Sequence, residues 1–306
     1  MLLADLLREY MYECEIKKYS IRTIKEYRNN IRAFFNYLDK EYDIKSLEQI
    51  SHVQIKHYFK YLTNQGRKET YINGILKNLR SFYKFCEKEE YTCNNPCKKV
   101  DWQKEPKVII NSFSDKEAIK MLDVYNYSNY YNARNKCIIA TLIDTGIRNL
   151  ELCSLGMLDV RETVVLVHGK GNKERYVPIS PMLKKIMIKY ERIRNSYMIN
   201  KFVKCDNYFL SYRGNPLTVE AVERVIKGAG KKAKVRENIR CSPHTFRHYF
   251  AQTQLKNGLD VYSLSRLLGH ENISITRRYL QSIKDEEIMD LALKTSPLMN
   301  IKGGGR

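Results

Sequence analysis

The sequence predicts a mainly α protein with a small antiparallel β-sheet, arranged as a helical N-terminal domain followed by a mixed α+β domain. Three observations predict this. Over the first hundred residues, apolar positions recur at helical spacing in four successive runs. A stretch near residue 100 then loses that periodicity and carries prolines. Beyond it, two β-branched runs flank a glycine-containing turn, with helical patterns on either side.

The first run, Leu2–Lys17, is followed by Ser20, a residue suited to cap the helix Ile21–Tyr42. Ser51–Asn64 makes a third helix, closed by Gly66 where a left-handed residue commonly ends one. Glu69–Tyr91 makes a fourth, with Leu76, Leu79, Tyr83 and Phe85 spaced for a buried face. Four helices with short connections form a helical domain over residues 1–95. The stretch NNPCKKVDWQKEPK, Asn94–Lys107, marks an interdomain linker that we bound at residues 96–111.

Residues 112–306 form the second domain. Helices are predicted at Asp115–Tyr125 and Asn132–Thr145. The runs TVVLV (Thr163–Val167) and RYVPI form a hairpin about the turn HGKGNKE, and a further strand-like pair is expected around Tyr208–Thr218. Later come the helix Val261–Leu268, stopped by Gly269, and a short helix that Ser274 caps and that carries Tyr279. KDEEIMDLALK (Lys284–Lys294) has acids at its start and Ile288, Leu291 and Ala292 on one face, an amphipathic helix at about 284–294.

Charge points to a polyanionic partner. The chain holds 54 Lys+Arg against 34 Asp+Glu, a net +20. Residues 1–105 contribute 20 basic and 15 acidic side chains and residues 106–306 contribute 34 and 19, so the attraction is concentrated in the second domain. Its densest run, Lys227–Arg240, offers Lys231, Lys232 and Lys234 for contacts with a nucleic-acid backbone. No apolar run approaches the roughly 20 residues of a membrane span, and the N-terminus has no basic leader, so a cytoplasmic protein with no membrane partner is expected. The eight cysteines are scattered, and the closest pair, Cys93 and Cys97, is not a CxxC. They read as reduced, mostly buried thiols, and no metal site is expected.

SPHTFRHYF (Ser242–Phe250) begins with an N-cap serine and a proline at the first helical position. His244 and Arg247 then share one face of the first turn, where a helix already attracts anions. Alone, HxxR recurs by chance. Two further stretches add weight: TGIRNLELCSL places Arg148 just after a helix-ending glycine, and GKGNKER places Lys170 between two glycines at a hairpin tip. In LLGHENISITRRYL, His270 precedes Tyr279 by nine residues.

Taken in this order, these stretches resemble the tyrosine recombinases of the phage integrase family, chiefly the compact Xer-type and transposon-encoded members without an arm-binding domain. The resemblance implies a SAM-like core-binding domain, residues 1–95, and a tyrosine recombinase catalytic domain. It implies six catalytic residues: Arg148, Lys170, His244, Arg247, His270 and the nucleophile Tyr279, with Lys173 and Arg175 as neighbouring DNA contacts. Two arginines, always protonated and planar, suit the non-bridging oxygens of a scissile phosphate. Tyr279 would attack, His244 would serve as base, Lys170 would protonate the leaving 5′ oxygen and His270 would buttress the tyrosine.

The implied function is site-specific DNA recombination through a 3′-phosphotyrosyl intermediate and a Holliday junction. It would serve integration, excision or transposition of a mobile element, or resolution of DNA dimers. The implied partners are double-stranded recombination sites and three further copies of the chain, a tetramer on DNA joined by exchange of the C-terminal helix. Directionality or accessory proteins stay open, and no cofactor is required. Two alternatives are weighed: a type IB topoisomerase, which reseals the same strand, and a non-catalytic basic DNA-binding protein, which has no need of Lys170 or Tyr279.

Overall fold

The four N-terminal runs fold as helices α1 (Leu3–Ile16), α2 (Ile21–Tyr42), α3 (His52–Asn64) and α4 (Glu69–Lys88). The computed structural model of the chain describes residues 2–106, 110–169, 173–201, 203, 205–282 and 285–295, with the backbone alone at 282, 285–287, 290 and 291. Local chemistry sets the helix ends. Ser20 Oγ accepts from the Thr23 amide at 3.1 Å, and the Ser51 amide donates to Gln54 Oε1 at 3.0 Å, half of a capping box. Gly66 adopts a φ of +74° just past α3. Helix α4 stops three residues short of the expected Tyr91. There Glu90 turns left-handed at φ +60°, and the Tyr91 amide folds back to Cys86 O at 2.9 Å. Leu76, Leu79, Tyr83 and Phe85 are buried with Leu6, Phe34 and Ile55 in one core.

The chain divides into two compact units, Met1–Lys107 and Val108–Arg306. The second is built around α6 (Tyr130–Thr145), whose residues 137–142 are all buried, as expected of a helix covered on every side. Against it pack α5 (Asp115–Asp123), α8 (Pro181–Met198), α9 (Val219–Lys232) and α10 (Pro243–Lys256). The remaining helices are α7 (Asn149–Ser154), α11 (Val261–Leu268), α12 (Ile273–Arg277) and α13 (Asp285–Lys294). Strands β1 (Val164–His168) and β2 (Glu174–Pro178) pair antiparallel, with Val164 opposite Pro178 and His168 opposite Glu174. Alternation along them buries Val165, Val167 and Val177. The hairpin tip, residues 170–172, lies outside the described residues, as do Lys284 and the C-terminal tail.

Two expectations are corrected. The strand pair around Tyr208–Thr218 reduces to a single bridge, Leu210 with Pro216. The Leu217 amide donates to Phe209 O at 3.2 Å and the Ser211 amide to Asn215 O at 2.8 Å, but the pairing ends there because Thr218 caps α9, its Oγ1 accepting from the Ala221 amide at 3.3 Å. On the opposite edge, side chains take the carbonyls a third strand would need. Tyr130 and Arg134 donate to Leu210 O at 2.8 and 3.0 Å, while Tyr190 and Arg194 donate to Tyr208 O at 3.0 and 3.1 Å. Nor does Ser274 cap the short helix ahead of Tyr279. Asn272 does, its Oδ1 accepting from the Ser274 amide at 2.8 Å, and Tyr279 follows in a 3-10 turn, Arg278–Ser282.

Candidate active site

Helix α11 ends at Gly269, which takes a φ of +64°, and its last carbonyls lack intrahelical partners. Three arginines from distant parts of the sequence satisfy three successive ones. Arg175 Nε donates to Leu267 O at 2.7 Å, Arg247 Nη2 to Leu268 O at 2.6 Å and Arg148 Nη2 to Gly269 O at 3.1 Å. Cations are favoured at a helix C-terminus, so this one end draws β2, α10 and the α6–α7 turn together. His270 follows directly.

Arg247 also donates from Nη1 to Gly146 O at 3.0 Å and is 3% exposed. Burial, then the nearby Arg148 charge, pulls it down to about 10, which leaves it protonated at neutral pH. Gly146 ends α6 at φ +59°, and a Cβ there would collide with the Phe250 ring, so the turn lies hard against α10. Arg148 stands at the N-cap position directly before α7, and its side chain is 43% exposed. Its amide and its Nη1 both donate to Glu151, at 2.8 Å each.

Glu151 is the anionic pin of this arrangement. Arg175 reaches it with two nitrogens, Nη1 to Oε1 at 3.0 Å and Nη2 to Oε2 at 2.7 Å. Burial pushes its carboxyl up, but Arg175 and Arg148 outweigh that and hold it at about 2. Arg175 is therefore a correction. Expected as a DNA contact, it turns inward, because a buried carboxylate and a helix end compete successfully for its planar fork.

Tyr279 is 3% exposed, its ring lodged among Phe250, Ala251, Leu255, Leu264 and Leu268. Its oxygen lies 3.0 Å from His248 Nδ1. Burial raises the Tyr279 hydroxyl above its ordinary range, while Arg247, Arg278 and Arg148 oppose the rise. His270 Nδ1 lies 2.8 Å from Thr276 Oγ1, and burial followed by Arg247 and Arg148 pushes the ring down to about 4. His244, in the first turn of α10 behind the cap Ser242, is lowered by burial and then by Arg247, Arg148 and Arg240. At neutral pH these histidines are neutral donors or acceptors within a cationic field.

Four of the six expected catalytic side chains thus share one electrostatic neighbourhood with Tyr279, and Lys170 lies outside the described residues. Lys173 is exposed and pairs with Glu271 at 2.9 Å. Lys231, Lys232 and Lys234 are exposed at the end of α9, with Lys232 over the Tyr125 ring at 5.7 Å. Among the described residues no group of His, Cys, Asp and Glu is placed to hold a metal. Sequence reasoning missed two residues. His248 stands four positions after His244, one helical turn on, and Glu151 stands three after Arg148, at capping-box spacing.

Known proteins with this pattern share its extent. The phage integrase family profile matches residues 111–286, and the phage integrase N-terminal SAM-like domain matches residues 7–90. The tyrosine recombinase XerC of Halalkalibacterium halodurans is 32% identical over 274 residues, covering 88% of this chain and 89% of that protein. XerC of Bacillus pumilus is 35% identical over 273 residues, 88% of each, and XerD of Staphylococcus aureus 29% identical over 284 residues, 92% and 95%. The fold is that of XerH bound to a palindromic difH substrate, with a TM-score of 0.75 at 20% identity, covering 94% of this chain and 83% of that one. It is also that of a lambda integrase dimer bound to a COC′ core site, with a TM-score of 0.72 at 18% identity, covering 91% and 77%. With its sequence, both its domains and its fold in agreement, the chain belongs to the phage integrase family and is a tyrosine-type site-specific DNA recombinase.

Proposed function

We infer that this recombinase breaks and rejoins DNA strands at paired recombination sites, with Tyr279 as nucleophile and Arg148, Arg247, His244 and His270 around the scissile phosphate. The observation carrying this reading is the convergence of those side chains from separate segments beside the carbonyl end of α11. Arg247 supplies a buried, fixed cation and Arg148 a more exposed one, a pair suited to the two non-bridging oxygens. His244 and His270, held neutral, can donate to the same oxygens without adding charge. Lys170, which stands in sequence between the two hairpin runs, is assigned the proton delivered to the leaving 5′ oxygen. The covalent phosphotyrosine keeps the energy of the broken bond, so resealing needs no ATP.

The assembly we propose is a tetramer on DNA passing through a Holliday junction. Helix α13 supports it: Ile288, Met289 and Leu293 are all exposed, an apolar surface suited to a neighbouring copy. The Leu291 side chain, expected on that face, lies outside the described residues. Lys173, Lys231, Lys232 and Lys234 are assigned to the DNA backbone. No helix among the described residues is long and apolar enough to cross a membrane, and we place the protein in the cytoplasm.

Strand exchange tests the reading. Two duplexes carrying a cognate site should yield junctions and recombinants, in the absence of metal or nucleotide. Relaxation of supercoils on arbitrary DNA by a monomer, without recombinants, would favour a topoisomerase instead.

A further inference from the structure

Resting on the reading that Tyr279 attacks the scissile phosphate, we propose that His248 takes the phenolic proton during attack and returns it when the strand is resealed. His248 lies in α10 directly after Arg247. Its Nδ1 is 3.0 Å from the Tyr279 oxygen, within the reach a general base needs. In the tautomer that carries its proton on Nε2, Nδ1 accepts the hydrogen bond that the hydroxyl donates. The proton therefore already lies on the line of transfer.

Both partners are fixed by packing. The Tyr279 ring belongs to the apolar cluster of Phe250, Leu264 and Leu268. The His248 ring is braced by His244, with centroids 4.3 Å apart and planes at 70°, and it meets the Tyr279 ring at 5.5 Å. His244 thus supports the ring that touches the nucleophile, and its own ring is assigned to the phosphate.

The surrounding charge makes this base conditional on substrate. The groups acting on His248 are His244 and Arg247 from α10 and Arg278 beside Tyr279. Burial first, then these neighbours, holds His248 at about 4, so in the free protein it is neutral and only weakly basic. A phosphodiester carries the opposite charge. Seated on Arg247 it offsets the cationic field, and His248 gains basicity when there is a phosphate to attack.

The step balances. The Tyr279 O–H bond breaks and its proton passes to Nδ1. The tyrosyl oxygen bonds to phosphorus, the bond from phosphorus to the 5′ oxygen breaks, and that oxygen takes a proton from Lys170. Resealing runs each transfer in reverse, and nothing is oxidised or reduced.

Single-turnover cleavage of a nicked suicide duplex tests this, with His248→Ala and His248→Asn compared with the parent protein at equal DNA occupancy. The asparagine amide keeps a hydrogen-bonding group near the Nδ1 position but takes no proton near neutrality. We expect both variants to cleave at least about a hundredfold more slowly, with added imidazole restoring part of the alanine variant's rate. On a duplex with sulfur as the bridging 5′ atom, whose departure needs no proton, Lys170→Ala should recover and the His248 variants should not. Parental speed in His248→Asn would mean that a hydrogen bond suffices, and recovery of His248→Ala on the sulfur duplex would place its action on the leaving group. Either result overturns the assignment. If the alanine variant fails to bind DNA, the asparagine variant carries the comparison. Covalent capture by Tyr279→Phe would instead overturn the reading on which the assignment rests.

Discussion

Glu151 and Arg175 meet through two parallel hydrogen bonds, at 3.0 and 2.7 Å, directly beneath the turn that carries Arg148. The same carboxylate receives the Arg148 amide and guanidinium, so one buried acid positions two arginines. Removing its charge should be costly. Glu151→Gln is expected to lower stability by about 3 kcal/mol, the scale for a buried pair stripped of one partner. The double variant Glu151→Gln with Arg175→Met should lose less than the sum of the two single changes. Urea denaturation of the four proteins measures the coupling, and additive losses would contradict it.

Acid should destabilise the protein in two windows. His248 and His270 are held at about 4 in the fold, against about 6.5 when unfolded, so below 6.5 the unfolded chain binds protons first. Their contribution is fully present above pH 6.5 and drains away as the pH falls toward 4. Glu151, held at about 2, contributes above pH 4.5 and loses that contribution as the pH falls further. Denaturation midpoints measured from pH 8 to pH 3 should therefore decline from about pH 6.5 downward. A variant with asparagine at 248 and 270 should flatten the upper part of the decline, and a midpoint level down to pH 4.5 in the parent would count against the buried neutral histidines.

Gly146 combines a left-handed φ of +59° with a Cβ position blocked by Phe250. Gly146→Ala is expected to cost roughly 2–4 kcal/mol, from backbone strain and overpacking together. It should also displace a carbonyl that holds Arg247. Cleavage should therefore fall at temperatures where the variant is still fully folded, as circular dichroism would establish. Parental activity and stability would refute the tight turn.

Much of this architecture was legible because local signals agreed with the fold. The caps Ser20 and Ser242, the helix-ending glycines Gly146 and Gly269, and the β-branched hairpin runs each occupy their expected elements. The failures share a cause, the action of distant side chains on a local pattern. Tyr208–Thr218 has strand-like residues, but Thr218 turns into α9 after one bridge, while Arg134 and Arg194 close the outer edge by taking the Leu210 and Tyr208 carbonyls. Arg175 sits in a basic hairpin motif, but Glu151 and the end of α11 draw it inward. His248 was overlooked because a histidine after Arg247 has meaning only once Tyr279, thirty-one residues on, folds against it.

The account stands on Tyr279 as the nucleophile, and covalent capture tests that most directly. A nicked duplex carrying a cognate site is incubated with the protein, denatured and digested, and the DNA-linked peptide is identified by mass spectrometry. We predict one adduct, on the peptide containing Tyr279, formed without metal and absent from Tyr279→Phe. An adduct on a different residue, or the same yield from Tyr279→Phe, would contradict the central claim.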